Sequence, residues 1–198
     1  MNPAITLPEV SPQRRWRGRL QLILILTIVI GPMILATAMY QWRFWVPDAR
    51  NYHGELLGTG TGVADLGVVG DQDKRWQLLV TAPDSCNTDC KQLVYLARQI
   101  NIGLNREATR ATHAIALSQP LQADYDALLK REFPKLSRYP LEPQAYAATV
   151  SKTAGKLDAP QLWIVDPHGN LVLRYANGTS GKAILKDLIL LLKISRIG

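Results

Sequence analysis

Three hydrophobic patterns divide the chain. From Leu20 to Tyr40 no position is charged, and at about 1.5 Å per residue such a helix is long enough to cross the ~30 Å hydrocarbon core of a bilayer. Gly31-Pro32 interrupts the run with an expected kink, which membrane helices tolerate better than soluble ones. From Pro47 to about Gly70 the chain turns to Gly, Asp and Thr with no sustained apolar period, the pattern of a linker merging into the first short strands of a domain. Beyond it, strand-like and helix-like periods alternate. Strands are expected at Trp76–Ala82, Thr112–Leu117, Leu162–Val165 and Leu171–Tyr175, and helices at Cys86 to about Leu104, Leu121–Phe133, about Pro143–Lys156 and about Ser180–Arg196.

Alternation of this kind predicts βαβ units followed by a closing hairpin and helix, an α/β domain. Pro167-His168-Gly169-Asn170 between two apolar runs marks the hairpin turn. The expected plan is an N-terminal segment (1–19), a transmembrane helix (20–41), a linker (42–70) and one folded domain (71–198). That domain is of ordinary size and can bury a single core.

Arg14, Arg15, Arg17 and Arg19 precede the apolar helix. Under the positive-inside rule they place the N-terminus in the cytoplasm and the domain outside, opposed more weakly by Arg43 and Arg50. A cleaved signal peptide fits less well: the apolar run is longer than the usual ~7–15 residues, and Tyr40-Gln41-Trp42-Arg43-Phe44-Trp45 is no small-residue cleavage site. Tyr40, Trp42 and Trp45 suit an interfacial belt. For a bacterial host the expectation is a single-pass inner-membrane protein, in contact with membrane lipid, with a periplasmic domain. The net charge of +7 follows partly from the topology signal. The other basic residues form no stripe, so nucleic-acid binding is not expected. Gly58-Thr59-Gly60-Thr61-Gly62 lacks the lysine and helix of a phosphate loop and reads as a turn.

The chain has two cysteines, Cys86 and Cys90, directly after the strand Trp76–Ala82. Positions i and i+4 share one face of a helix, so both sulfurs fall at the start of the next helix. Such a pair can be a dithiol, a disulfide or a soft-metal clamp. Two i,i+4 side chains within a regular helix rarely meet disulfide geometry, so a bond requires Cys86 at or before the helix start. A helix N-terminus favours the thiolate, which makes Cys86 the expected nucleophile. Asp84 and Asp89 oppose that effect and Lys91 assists it. A static staple closing so short a loop would stabilise little.

The order of elements, with two cysteines at the N-terminus of the first domain helix, resembles the thioredoxin arrangement. The run Leu78 to Leu93, containing Cys86-Asn87-Thr88-Asp89-Cys90, resembles the Sco/SenC branch of that superfamily, as do Leu162 to Asn170 and the membrane anchor. The resemblance implies a thioredoxin-like domain on a single N-terminal transmembrane helix and a role in cytochrome c oxidase assembly.

In Sco proteins the two cysteines and a distal histidine bind copper, thiolates being suited to the cuprous ion. The resemblance therefore offers Cys86 and Cys90 as metal ligands and copper as a cofactor. The histidine would precede Leu162–Val165, where this chain reads Lys156-Leu157-Asp158-Ala159-Pro160-Gln161. His53, His113 and His168 all lie elsewhere. Pro160 stands where thioredoxin-like oxidoreductases place a cis-proline facing the redox pair, though a trans-proline also commonly starts a strand. Three functions are open: thiol:disulfide exchange by Cys86 and Cys90, with Pro160 in support, on the copper-binding cysteines of a respiratory oxidase subunit; a copper chaperone; or a non-catalytic scaffold bound to the oxidase or its assembly factors.

Overall fold

The computed structural model describes residues 12–42, 52–57, 60–71, 73–152 and 159–195. The chain falls into two units divided between Ala49 and Arg50. The first contains α1 (Pro12–Trp42), assigned as one helix through Pro32. Its stretch Trp16–Met39 is long and apolar enough to cross a membrane. Leu22, Ile25, Val29 and Met33 are all exposed, an apolar surface suited to lipid. Arg43, Phe44, Trp45 and Arg50 lie outside the described residues, as do Gly58, Thr59 and the expected end of the third domain helix at 153–156.

The second unit is built on one six-stranded sheet. Its strands are β1 (Glu55–Leu56), β2 (Trp76–Ala82), β3 (Ala111–Leu117), β4 (Ser137–Pro140), β5 (Gln161–Val165) and β6 (Leu171–Tyr175), in the spatial order β1-β6-β5-β2-β3-β4. β2, β3 and β4 are parallel, while β5 runs antiparallel to β2 and β6 to β5. The helices are α2 (Thr88–Gly103), α3 (Ala123–Glu132), α4 (Pro143–Lys152) and α5 (Gly181–Ile194), with a 3-10 turn at Asn105–Arg110.

β2 is buried along its whole length, as a central strand covered on both faces must be. Side chains alternate between faces with period two. Leu78, Val80 and Ala82 therefore share one core with Cys90, Leu93, Val94 and Ala97 of α2 and Ile184 and Leu188 of α5. Leu79 joins Ala114, Trp163 and Tyr146 and Val150 of α4 on the other face. Trp163 is fully buried, and its indole N–H is satisfied by Thr81 Oγ1 at 2.9 Å. This helix–sheet–helix layering is the thioredoxin-like α/β fold expected from the sequence.

Part of the segment read as linker lies in the core. Leu57, Val63, Leu66 and Val68 are buried on the α4 face, and Leu171 N–H bonds to Thr61 O at 2.9 Å. Gly67 explains how so polar a stretch folds inward: it has φ +82°, and a Cβ there would meet Glu142 O at 2.7 Å. Only glycine takes that conformation and that approach without strain. β4 is an addition to the expected elements, and β1 is a short strand in the segment expected to merge into the domain.

Candidate redox site

β2 ends at Ala82, and Pro83, Asp84 and Ser85 carry the chain to Cys86. Asn87 is the N-cap of α2, its Oδ1 accepting the backbone N–H of Cys90 at 3.0 Å. Cys86 thus stands one residue outside the helix and Cys90 in its first turn, the placement that a bond between them requires. The two form a disulfide, with their Cα atoms 5.1 Å apart, within the ordinary range of about 4.4–6.8 Å.

The two sulfurs are unequal. Cys90 is fully buried in the α2 core, whereas Cys86 is half-buried and packs at the edge of that core. An incoming group meets Cys86 first. On reduction, the unpaired N–H groups at the start of α2 favour negative charge at this end. Asp89 in the first turn opposes that, and Lys91 is engaged with the ring of Tyr125, its Nζ 5.0 Å from the centroid.

The loop is tied to its neighbour. Ser118, just after β3, donates from its backbone N–H to Ala82 O at 3.3 Å, and its hydroxyl donates to Pro83 O. Beside the loop opens a cavity of about 240 Å³, lined by Pro83, Asp84, Ser85, Asn87 and Pro160. Pro160, just before β5, is therefore brought to the cysteine loop from far along the chain. Its peptide bond is trans, not the cis form considered from the sequence. Trans is the default for X-Pro, and the missing N–H costs nothing here because ladder pairing begins one residue later, at Gln161 opposite Thr81.

The histidines are dispersed. His113 pairs in register with Leu78, about 13 Å from Ala82 at ~3.3 Å per residue. His168 sits in the β5–β6 turn, where Asp166 Oδ1 accepts its backbone N–H at 2.9 Å. The antiparallel pairing of β5 with β2 puts that turn at the opposite end of the sheet from the cysteines. His53 precedes β1 at the cysteine end, but it is held by Asp187 of α5, with Nδ1 2.8 Å from Oδ1. Among the described residues no group of three His, Cys, Asp or Glu side chains is arranged to hold a metal. A reduced Cys86–Cys90 pair offers two soft sulfurs, and among the described residues no third ligand completes a copper site beside them.

Residues 76–195 match the family of transmembrane-like, thioredoxin-like C-terminal domains, and residues 12–43 match the corresponding transmembrane-like N-terminal domain. The chain belongs to this family. In this transmembrane-like, thioredoxin-like protein one apolar helix precedes one α/β domain. No curated protein matches the sequence. Among solved structures, the chain is similar to copper-bound ScoI of Arabidopsis thaliana, at 10% identity over 62% of this chain and 87% of that one, with a TM-score of 0.48. Copper-bound ScoI of Bradyrhizobium japonicum is 12% identical over 60% and 85%, with a TM-score of 0.41. A thiol:disulfide interchange protein from Bacteroides sp. is 10% identical over 72% and 91%, with a TM-score of 0.43. The likenesses are distant, and the fold rests on the strand order and the family match.

Sequence reasoning missed the cluster around Asp187. This carboxylate is buried, and its Oδ2 accepts the backbone N–H groups of His53 at 2.7 Å and Gly54 at 3.1 Å and the Tyr175 hydroxyl at 2.9 Å. Burial alone would raise its pKa, but the hydrogen bonds from His53, Tyr175 and Gly54 outweigh burial and hold it below the ordinary carboxylate range. The only sequence signal was a single Asp within the apolar period of the last helix.

Proposed function

We propose that this family member is a membrane-tethered thiol:disulfide exchange protein that reduces the copper-binding cysteines of a respiratory oxidase subunit. The observation that carries the reading is the inequality of the Cys86–Cys90 pair at a helix N-terminus, one sulfur half-buried and one fully buried. In the reduced protein the Cys86 thiolate attacks a substrate disulfide. A Cys86–substrate S–S bond forms and one substrate thiolate leaves. The Cys90 thiolate then attacks the Cys86 sulfur, closing the Cys86–Cys90 bond and releasing the second substrate thiol. Two electrons pass from protein to substrate, and an exported dithiol donor must return them. Pro160, beside the loop, helps shape the surface on which the substrate cysteine rests.

The cytoplasmic N-terminus, the inner-membrane location and the periplasmic domain belong to this proposal. They are supported by the arginines before α1 and by the apolar length of the helix. Copper enters as the metal of the substrate's centre, since the described residues bring no third ligand to the cysteines. The test is the reduction potential of the full-length protein, together with trapping of the oxidase subunit by Cys90→Ser. A mixed disulfide through Cys86 supports the reading. Full oxidase assembly with a variant carrying Cys86→Ser and Cys90→Ser overturns it in favour of a scaffold, and tight cuprous binding lost in both single variants overturns it in favour of a chaperone.

A further inference from the structure

The end of the sheet away from the cysteines holds a larger cavity, of about 440 Å³. It exists because β4 starts late. Pairing with β3 begins at Ser137 opposite Ala114, so among the described residues the outer edge of Ala111–His113 has no strand beside it. The 3-10 turn supplies Thr109 to one wall, Asn101 of α2 to another, and Lys135 and Ser137 come from the segment entering β4.

His113 lines this cavity. It is buried, 5% exposed, and its Nε2 has no hydrogen-bond partner. Leaving a buried polar atom unpaired is costly, and native structures leave few of them. The charges around it are one-sided. Arg75 and Lys135 line the cavity, and Arg98 of α2 is close enough to act on the imidazole. Arg75 is answered by Asp73, with Nε 2.9 Å from Oδ1, and Arg98 lies 4.9 Å from the Phe133 ring centroid. Among the described residues Lys135 is paired with no carboxylate, and neither Asp nor Glu lines the cavity.

We propose that this cavity binds a small oxyanion-bearing ligand, its phosphate or carboxylate group held between the Lys135 ammonium and the Nε2 of His113. The volume falls in the range of about 300–1,000 Å³ usual for small-molecule sites, so an organic body fits beside the charged group. Burial, and then the repulsion of Arg98 and Lys135, hold His113 down to about 4. The ring is therefore neutral at pH 7, with one N–H to donate and one lone pair. Donation from Nε2 to an anion satisfies the atom that the protein leaves unpaired, and the anion offsets the neighbouring cations. The site is independent of thiol exchange.

The full-length protein in detergent micelles, labelled at histidine, is titrated with inorganic phosphate in one arm and acetate in the other. Saturable movement of the His113 ring resonances, with His53 and His168 unmoved and the His113 titration displaced to higher pH, supports the site. The arm that saturates assigns the oxyanion class. Lys135 is exposed, so Lys135→Gln should fold normally and weaken binding about tenfold, the loss of one charge-assisted contact. Absence of saturation in both arms, or binding unchanged in Lys135→Gln, overturns the proposal.

Discussion

Asn87 Oδ1 accepts the backbone N–H of Cys90 at 3.0 Å, so the side chain that starts α2 also fixes the backbone of the buried sulfur. N-cap removal typically costs about 1 kcal/mol. Asn87→Ala should therefore lower the stability of the oxidised protein by about that much, with Tm falling a few degrees. Thermal or urea unfolding reads the change, and an unaltered midpoint would show that the cap contributes nothing.

The unequal burial of the cysteines predicts unequal reactivity. In the reduced protein a thiol reagent should modify Cys86 before Cys90, because access and thiolate character both govern the rate. With a model disulfide, Cys90→Ser should accumulate a mixed disulfide and Cys86→Ser should not. Equal trapping by the two variants would contradict the assigned roles.

His113 gives the fold an acid dependence. Its pKa in the folded chain, about 4, lies below the 6.5 of a free imidazole, so below pH 6.5 the unfolded chain binds the extra proton. Stability is complete above pH 6.5 and falls as pH drops towards 4, by on the order of 2–3 kcal/mol. Denaturant titrations at pH 7 and pH 4.5, in buffer free of phosphate, should separate by that amount. The separation should shrink in His113→Gln.

Two substitutions test the Asp187 clamp. Gly54→Ala would place a Cβ 2.7 Å from the Tyr175 ring, and overpacking of that kind costs about 1–3 kcal/mol. Asp187→Ala leaves the N–H groups of His53 and Gly54 and the Tyr175 hydroxyl without their acceptor, for about 3 kcal/mol. Since the pKa of Asp187 is depressed, its contribution is present at neutral pH and is lost only as pH falls below the ordinary carboxylate range. That window lies lower than the one set by His113. Stability of Asp187→Ala equal to the parent at pH 7 would refute the clamp.

The central strands were legible because burial on both faces writes continuous apolar runs, and β2 and β6 lie where the sequence placed them. β4 was not: Ser137-Arg138-Tyr139-Pro140 is an edge strand with no alternating apolar face. Nor was the inward path of Leu57, Val63, Leu66 and Val68, scattered among glycines and supported only by contacts with distant elements. At the site, spacing revealed the cysteines, and the resemblance to thioredoxin-like proteins pointed to Pro160. His53 and Asp187 are 134 residues apart, and no local pattern joins them. The oxyanion cavity arises from where one strand begins relative to its neighbour, which sequence periodicity does not encode.

Asp187 fastens His53 and Gly54, near the start of the domain, to its last helix. The chain leading from α1 enters just before them. Unravelling the domain from this end must therefore break three hydrogen bonds to one buried carboxylate before it reaches the two-residue strand β1. The carboxylate thus guards the edge of the sheet, at the same end as the disulfide, against fraying from the chain's entry.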